Sequence, residues 1–340
     1  MCFMAAALAG YGSECVLLWH DNSSQRMTIT KESATGIKPF LKWAGGKTQL
    51  LPAIEARVLK LLRVKDTIQF VEPFVGSGAV LFFMLRKYGR HIRQATINDV
   101  NPVLANCYST IKYNPQELIN VLEALEKQYF TYTSEDDRKA FFLEKRIEFN
   151  ALDGEVVQKS ALLLFLNKTC FNGLYRVNSK GHFNVPFGKY VNPTICNAPV
   201  ILANSEALQK VEILNTDFSE MERLIAPDTF FYLDPPYKPI SATSSFNAYA
   251  KEGFGDADQE RLKAFCDKVN TGGGYFVQSN SDNSHTDEGN GFFQDLYKGY
   301  NIEQVKAKRA INAKGSGRGA VFELLISNDA VLQDENVPQV

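Results

Sequence analysis

One acidic residue, two prolines and one tyrosine follow a short apolar segment of the chain. Asp234, Pro235, Pro236 and Tyr237 come directly after the aromatic-rich segment 230–233. The apolar segment is predicted to be a buried parallel strand that ends at Asp234, because two prolines cannot continue a ladder. Ligands of open α/β sheets bind just beyond the carboxyl ends of the strands. The end of this strand is therefore a candidate reactive site.

These residue types suit the activation of an amine on a nucleobase. Such an exocyclic amine is a poor nucleophile because its lone pair is delocalised into the ring. The Asp234 carboxylate and the Pro235 carbonyl can each accept one N–H of the amine, which favours a tetrahedral nitrogen, and Tyr237 can stack on the base. A strand end with a capping Asp and a packed Tyr is an equally good explanation, so other motifs must decide.

Composition limits the class of protein. The chain has 340 residues, of which 45% are hydrophobic and 22% charged, and its net charge is -1. This suits one large or two moderate globular domains, and it requires any nucleic-acid surface to be a local patch. The 6 cysteines form no C-x-x-C pair and the 4 histidines show no metal-ligand spacing. We therefore expect free thiols, a cytoplasmic location and no metal.

Residues 1–36 are predicted to be a disordered or spurious N-terminal extension. Coherent patterning begins only at Ile37, and Met27 is an alternative start. The apolar run at the beginning lacks the basic region of a signal peptide and contains Glu14. It is also too short and too rich in glycine for a helix that spans a bilayer, so no membrane partner is expected.

The first glycine-containing segment is 40–48. It ends in Gly46, Lys47 and Thr48, as a P-loop does, but a P-loop needs a glycine where Leu41 stands. We therefore favour a glycine pair that lets the backbone approach a ligand, flanked by Trp43 and Lys47. The alternative is a helix start with a surface lysine.

The second such segment predicts the first βα unit of a nucleotide-binding fold. Within the segment 68–80 a short apolar strand runs into a turn with Gly76 and Gly78, and an apolar helix follows over about 79–88. The strand 95–99 ends in Asp99, about 20 residues after the glycines, where an acid accepts from ribose hydroxyls. Leu81 replaces the third glycine of the dinucleotide motif, which favours a smaller nucleoside ligand.

Further elements are predicted along the chain. Helices are expected to begin at Asn101-Pro102, Asn114-Pro115 and Ser134, where Asp137 completes a capping box. A third strand is predicted over 211–218, and it ends in Asp217 and Phe218. These two residues are predicted either to hold an adenine or to cap a helix, with equal weight. The polar loop 238–256 is predicted to be a lid. A helix over 257–269 and strands over 274–279, 300–307 and 320–327 complete the pattern, and Lys306, Lys308, Arg309, Lys314 and Arg318 are candidate phosphate contacts.

An acid-free stretch indicates a DNA surface. No Asp or Glu lies between Glu155 and Glu206, whereas five basic residues do. Alternating residues around the turn 178–181 predict a β-hairpin over 174–186, and a two-stranded ribbon fits the major groove. The amides of Asn172, Asn178 and Asn184 and the guanidinium of Arg176 suit base edges or phosphates.

Together these motifs resemble the N6-adenine-specific DNA methyltransferases of the Dam type (D12 class, alpha group). The resemblance covers about 39–328 and is strongest in the segments 41–47, 171–178 and 183–188. It implies an α/β fold with the Rossmann-like sheet of S-adenosylmethionine-dependent methyltransferases, mostly parallel with an antiparallel last strand. An inserted domain of helices and a β-hairpin would recognise DNA. We expect a catalytic domain over 37–112 and 205–330 and a target-recognition domain over 113–204.

The resemblance also implies the ligands and their contacts. The methyl donor would be S-adenosyl-L-methionine, the substrate double-stranded DNA with a flipped adenine in GATC or a site containing GAT, and a cognate restriction endonuclease a further partner. The implied donor contacts are Trp43, Lys47, Glu72, Pro73, Phe74, Gly76, Gly78, Asp99, Asp217, Phe218 and Asp234. The implied DNA contacts are Lys42, Leu174, Arg176, Pro186 and Tyr190, beside Asn172 and Asn178.

Two other classes of function remain as alternatives. An RNA guanine-N2 or protein-amide methyltransferase can share the turn with two prolines, but the acid-free stretch disfavours it. A non-catalytic DNA-binding module can retain the fold, but the intact residues from Asp234 to Tyr237 disfavour it.

Overall fold

A mostly parallel sheet organises the protein. The computed structural model describes residues 36–43, 47–236, 254–281, 291–308 and 320–328. In these residues a 7-stranded sheet has the order β3-β2-β1-β4-β5-β7-β6. Its strands are β1 Ile68–Glu72, β2 Ile92–Asn98, β3 Val211–Leu214, β4 Thr229–Leu233, β5 Tyr275–Ser281, β6 Asn301–Lys308 and β7 Ala320–Ser327. β1 to β5 are parallel, and β7 is antiparallel to both of its neighbours. The fold class predicted from the sequence is confirmed.

Helices precede, connect and cover the strands. They are α1 Leu51–Leu62, α2 Ala79–Tyr88, α3 Pro102–Tyr113, α4 Pro115–Thr131, α5 Glu135–Ala151, α6 Val156–Thr169, α7 Ala198–Leu208, α8 Asp256–Thr271 and α9 Phe292–Leu296. Two 3-10 turns lie at Phe171–Gly173 and Phe218–Leu224. Within the described residues, no helix combines the length and the apolar content that crossing a bilayer requires.

The predicted helix starts are correct, although their caps differ in detail. Asn101 precedes Pro102 and its side chain accepts from the Val103 N–H at 3.0 Å. The Ser134 hydroxyl accepts from the Asp137 N–H at 3.0 Å, and it also donates to the Asp137 carboxylate at 2.7 Å. In the predicted capping box that carboxylate would accept from the Ser134 backbone instead.

The strand that carries Asp234 lies in the middle of the sheet. β4 pairs with β1 on one side and with β5 on the other, and all 5 of its residues are buried. Phe230 and Tyr232 belong to one hydrophobic cluster, whereas Phe231 and Leu233 belong to another. Both faces of the strand are therefore covered, which explains its unbroken apolar run. Burial of each such side chain contributes about 1.5–3 kcal/mol, so the position of Asp234 is firmly fixed.

The helices of the predicted recognition domain share a core with one face of the sheet. Tyr129 of α4 and Phe141 of α5 contact Phe165 of α6, with ring centroids 6.0 and 5.5 Å apart. These side chains belong to the same cluster as Phe230 and Tyr232 of β4. The division into a catalytic and a recognition domain stays a prediction.

The segment 174–186 forms an irregular hairpin. Val177 and Phe183 make an isolated antiparallel bridge, and the Asn184 N–H donates to the Arg176 carbonyl at 3.1 Å. The chain reverses where the hairpin is predicted, but its two arms meet in one isolated bridge and not in two regular strands. Asn150 of α5 binds both backbone groups of Phe183, at 2.8 Å to its N–H and 3.1 Å to its carbonyl. The hydrogen bonds on either side of the Val177–Phe183 pair make it a non-hydrogen-bonded pair, so the backbone groups of Phe183 face away from Val177 and Asn150 satisfies them.

Gly78, directly before α2, occupies a position that no other residue fits. Its φ is +71°, and an added Cβ would lie 2.5 Å from the Tyr108 hydroxyl. We expect Gly78→Ala to lower the free energy of unfolding by about 1–2 kcal/mol for the left-handed backbone and about 1–3 kcal/mol more for overpacking. Gly154→Ala is the matched control, because its φ is +81° and an added Cβ would meet nothing within 4 Å. Equal losses in urea unfolding would contradict the role of the close approach.

Candidate active site

Asp234 stands at the carboxyl end of β4 with one oxygen already engaged. Its Oδ1 lies 3.1 Å from the Lys47 Nζ and accepts from the Ser279 hydroxyl at 3.0 Å. Ser279 comes from β5, next to β4, and its hydroxyl also bonds to the Tyr232 hydroxyl at 2.9 Å. Burial raises the pKa of Asp234 to about 6, and the nearby Lys47 charge opposes the rise. The carboxylate is thus held on one side by two donors.

Lys47 is a buried cation and not a surface residue. Only 4% of it is exposed. Besides Asp234, its Nζ faces the Glu323 Oε2 at 3.5 Å. Glu323 lies on β7, so the ion pairs join the segment before α1 to the last strand of the described chain. The alternative prediction of a surface lysine was wrong, because two carboxylates draw the side chain inward.

Glu72 has a buried oxygen without a partner. This residue ends β1, is 2% exposed, and its Oε2 has no hydrogen-bond partner among the described residues. Burial and then the neighbouring Asp234 charge raise the pKa of Glu72 well above its usual range, although the Leu81 N–H opposes the rise. Unpartnered buried carboxylates are costly. Glu72 therefore suits a ligand that brings a positive charge or a donor.

Asp99 fixes the glycine turn. Its Oδ2 accepts from the Gly76 N–H at 3.1 Å and its Oδ1 from the Asn101 N–H at 2.9 Å. Burial raises the pKa of Asp99 to about 6 in spite of these bonds. Glu72, Asp99 and Asp234 form an acidic trio, since the charges of the other two both raise the pKa of Glu72. The trio gives this end of the sheet a field that favours a cation.

Trp43 covers the glycine turn from outside. A Cβ on Gly76 would lie 3.1 Å from the Trp43 ring, which shows how closely the two approach. Asn98 holds the start of the segment that leads into the glycine turn. Its side chain donates to the carbonyls of Pro73 and Thr216 at 3.0 Å each. Loops after β1, β2 and β3 are thereby held together at one edge of the sheet.

Asp217 caps a 3-10 turn, and Phe218 packs beside it. The Asp217 Oδ1 accepts from the Ser219 N–H at 3.0 Å and lies 2.7 Å from an Arg261 nitrogen. Phe218 contacts Phe74 at 5.5 Å between centroids, and the Arg261 guanidinium lies 5.0 Å from the Phe218 ring centroid. The structure therefore contains the predicted cap. It also places two predicted donor contacts, Phe74 and Phe218, against each other.

Four predicted DNA contacts lie on one side of the site. Lys42, Asn172 and Leu174 line a cavity of about 230 Å³ together with Trp43. The Lys42 Nζ lies 5.4 Å from the centroid of the Tyr190 ring. Asn172 adopts a left-handed conformation with φ 55°, inside the 3-10 turn after α6. The cavity connects the predicted DNA contacts to Trp43.

The remaining predicted DNA contacts lie along the irregular hairpin. The exposed Arg176 donates to the Asn184 side chain at 2.7 Å. The Asn178 side-chain oxygen accepts from the N–H groups of Lys180 and His182, both at 3.0 Å, so it builds the turn. Pro186 is exposed, and its carbonyl accepts from the Phe171 N–H at 2.8 Å.

Some predicted residues cannot be placed. Tyr237 lies outside the described residues, as do Gly45, Gly46, residues 1–35 of the predicted extension 1–36, and residues 238–253 of the predicted lid. Arg309, Lys314 and Arg318 lie outside them as well. Phe254, near the end of the predicted lid, is described and contacts Phe74 at 5.9 Å between centroids.

Comparison with known proteins identifies the family. Residues 43–311 match the profile of the family described as "D12 class N6 adenine-specific DNA methyltransferase". The chain belongs to this family.

Relatives of the methyltransferase agree. The chain is 44% identical over 295 residues to the type II methyltransferase M.MjaIII of Methanocaldococcus jannaschii, covering 86% of this chain and 99% of that protein. It is 36% identical to the type II methyltransferase M1.LlaDCHI of Lactococcus lactis, with 89% and 99% covered. It is also 36% identical to a DNA adenine methylase of Vibrio cholerae, with 85% and 95% covered.

Sequence reasoning missed several residues of the methyltransferase site. Asn98 ends β2 beside β1, where the rule applied to Asp234 would have found it. Ser279 lies beside β4 and two residues before the end of β5. Glu323 is the one acid in the apolar strand β7. In the described ranges, no group of 3 or more His, Cys, Asp or Glu side chains could hold a metal ion, and the predicted absence of a metal stays a prediction.

Proposed function

We propose that this chain transfers a methyl group from S-adenosyl-L-methionine to N6 of an adenine in duplex DNA, within GATC or a site containing GAT. The observation that carries the proposal is Asp234 at the end of the central strand, oriented by Lys47 and Ser279. A carboxylate in this place can bind an adenine amine that is brought to the edge of the sheet.

The residues at this edge fit the proposed methyl donor. S-adenosylmethionine carries an ammonium and a sulfonium, and when bound it supplies an electrophilic methyl group. The unpartnered Glu72 Oε2 and the acidic trio suit a cationic ligand. Glu72 and the turn from Pro73 to Gly78 would hold its amino-acid end, and Asp99 its ribose. Trp43 and Lys47 would border the same pocket, with Asp217, Phe218 and Phe74 at the adenine end.

Asp234 prepares the target amine. Lys47 and Ser279 engage Oδ1, which leaves Oδ2 to accept one N6–H, while the Pro235 carbonyl accepts the other. Tyr237 stacks on the flipped base, whose extrusion costs a few kcal/mol. These contacts localise the nitrogen lone pair and aim it in line, and such positioning provides much of the rate. After transfer the nitrogen must lose a proton, which Asp234 can receive because its pKa is raised to about 6.

The DNA would lie across the acid-free face. Lys42, Tyr190, Asn172 and Leu174 border the cavity next to Trp43, and Arg176 extends the face along the hairpin. Basic and amide side chains of this kind contact phosphates and base edges. Asn178 and Pro186 shape the hairpin through backbone contacts, besides any contact with DNA.

Two accompanying proposals concern the setting. The first is a cognate restriction endonuclease that cuts the same site, a partner that the resemblance of the motifs implies. The free thiols of Cys107, Cys170, Cys196 and Cys266 support action in the reducing cytoplasm.

The test is to map the methylated positions. Pure protein would be incubated with S-adenosylmethionine and unmethylated bacteriophage DNA, and N6-methyladenine would be located by single-molecule sequencing. We expect methylation at one short motif that contains GAT. Duplex RNA and a protein extract serve as competing acceptors. Methyl incorporation into either of them but not into DNA would overturn the proposal, and methylation at a motif without GAT would refute the site.

The pH dependence of transfer tests the Ser279 contact. Transfer needs ionised Asp234, so the rate is expected to fall as pH falls through about 6. Ser279 donates to the ionised form and so lowers the pKa of Asp234. Ser279→Ala is therefore expected to move the acid limb of kcat to higher pH. Tyr232→Phe is the control, because it removes a bond to Ser279 without touching Asp234. An acid limb that stays in place or moves down in Ser279→Ala contradicts the role of Ser279.

A further inference from the structure

A single buried amide joins the two sides of the site. Asn167, near the end of α6, is 2% exposed. Its side-chain oxygen accepts from the Lys42 N–H at 2.8 Å, and its amide group donates to the Lys42 carbonyl at 2.9 Å and the Gly173 carbonyl at 2.8 Å. The three hydrogen bonds thus join the Asn167 side chain to the backbone of Lys42 and to the backbone of Gly173. The segment with Lys42 and Trp43 is therefore tied to the 3-10 turn that holds Asn172.

A second contact links the same segments. The Trp43 ring stacks on the Tyr175 ring, with centroids 4.9 Å apart and an interplanar angle of 22°. Trp43 also lies against Gly76. An added Cβ on Gly173 would lie 2.4 Å from the Lys42 side chain, so no slack separates Lys42 from the turn. Movement of residues 173–175 must therefore displace Trp43.

We propose that Asn167 is a positioning residue that couples DNA binding to methyl-donor binding. The inference rests on the proposed function, in which Trp43 borders the donor and Lys42 the DNA. Lys42 and Trp43 are consecutive in the sequence. Asn167 fixes Lys42 to the 3-10 turn Phe171–Gly173, here called the recognition turn. DNA that orders this turn also orders Trp43, so each ligand lowers the cost of binding the other. Such coupling must be reciprocal.

Charge at the same place gives DNA a reason to act on this turn. Lys168 follows Asn167, and burial and then the charges of Lys42 and Lys38 lower the pKa of Lys168 to about 8. The positive charges of Lys168, Lys42 and Lys38 thus repel one another beside the hydrogen bonds of Asn167. A DNA phosphate beside them would relieve the repulsion, which provides the differential binding energy that a coupled change requires.

The chain contains a matched control for Asn167. Asn204 of α7 is fully buried and binds both backbone groups of Lys38, at 3.3 Å to the N–H and 2.8 Å to the carbonyl. It holds the same segment four residues earlier, but it has no bond to the recognition turn. Removal of the Asn204 side chain therefore loses a similar pair of backbone hydrogen bonds, but it leaves the proposed link between Lys42 and the turn intact.

The experiment measures the affinity for sinefungin, a non-reactive donor analogue, with and without an unmethylated duplex that contains the mapped site. In the wild type the duplex is expected to tighten sinefungin binding roughly 5- to 150-fold, the usual range of coupling. In Asn167→Ala this ratio should fall to within about twofold of 1. Asn204→Ala should keep the wild-type ratio. Asn167→Asp is the second variant, because it preserves the volume of the side chain but cannot donate to the Gly173 carbonyl. Its ratio should also lie within about twofold of 1, and it replaces Asn167→Ala as the test if Asn167→Ala folds poorly.

A spectroscopic readout separates coupling from general damage. The sequence has 2 tryptophans, so Trp19→Phe leaves Trp43 as the sole reporter. The duplex should change Trp43 emission in this background, and the added Asn167→Asp should abolish the change. A wild-type ratio of 1, an unchanged ratio in both Asn167 variants, or an equal loss in Asn204→Ala overturns the inference. Wild-type protein that binds neither ligand would instead overturn the proposed function.

Discussion

Asp234→Ala is expected to lower the rate of methyl transfer by about 10²- to 10⁴-fold, the range that a positioned proton acceptor contributes. The variant loses the acceptor for the N6–H and the Asp234 partner of Lys47, whereas the ion pair between Lys47 and Glu323 is kept. Its fold should persist, because β4 is held by buried residues on both faces. Single-turnover methylation of the mapped duplex measures the rate, and thermal unfolding reports on the fold.

Asp228→Ala provides the control for this prediction. Asp228 precedes β4 as Asp234 follows it, and it pairs with Arg93 at 2.6 Å in a more exposed place. An ion pair in such a position contributes about 0–1 kcal/mol, so its loss should leave the rate near the wild-type value. Full activity of Asp234→Ala would rule out the assigned role, and so would an equal loss in Asp228→Ala.

Glu72→Gln is expected to weaken donor binding about 10- to 100-fold, which corresponds to one hydrogen bond to a charged group. The same change should make the unliganded protein more stable than the wild type as pH rises. The pKa of Glu72 is raised in the folded protein, so folding favours the protonated form, and this contribution is lost as pH rises from the ordinary value of 4.5 through the raised pKa. Without ligand, the wild type should lose up to about 1.4 kcal/mol per pH unit relative to the variant across this window.

Calorimetric titration with sinefungin and urea unfolding at several pH values measure the two effects. Glu212→Gln is the control, since this acid of β3 already bonds to Arg223 and Thr96, each at 3.1 Å. Glu212→Gln should leave the affinity for sinefungin unchanged. It should also not produce the pH-dependent difference in stability that is expected of Glu72→Gln. Unaltered sinefungin affinity in Glu72→Gln would show that the buried oxygen does not serve the donor.

The central strands and their ends could be predicted from the sequence because their signals are local. Apolar runs that stop at Pro or Gly mark β1 and β4, and the acid at each strand end then follows. Lys47 could be predicted to lie beside a ligand, but neither its burial nor the contacts of Asn167 gave a local signal. Their partners lie far along the chain, at Glu323 and Lys42, and only the packed structure brings them together.

The hairpin shows a case in which the sequence pattern indicated the reversal of the chain but not its details. Alternation over 174–186 predicted a hairpin, and Val177 and Phe183 form an antiparallel bridge within it. Tyr175 and Phe183 are buried in the main hydrophobic cluster, and Asn150 binds the backbone groups of Phe183 that face away from Val177. Tertiary packing thus left the rest of the hairpin irregular.

The place of β7 has a consequence for biosynthesis. This strand inserts between β5 and β6, and it carries Glu323 to Lys47. A nascent chain still lacking residues 320–328 has an uncovered edge on β5 and an incomplete charge cluster around Lys47. Closure of the sheet and completion of that cluster therefore occur together, once residues 320–328 have left the ribosome.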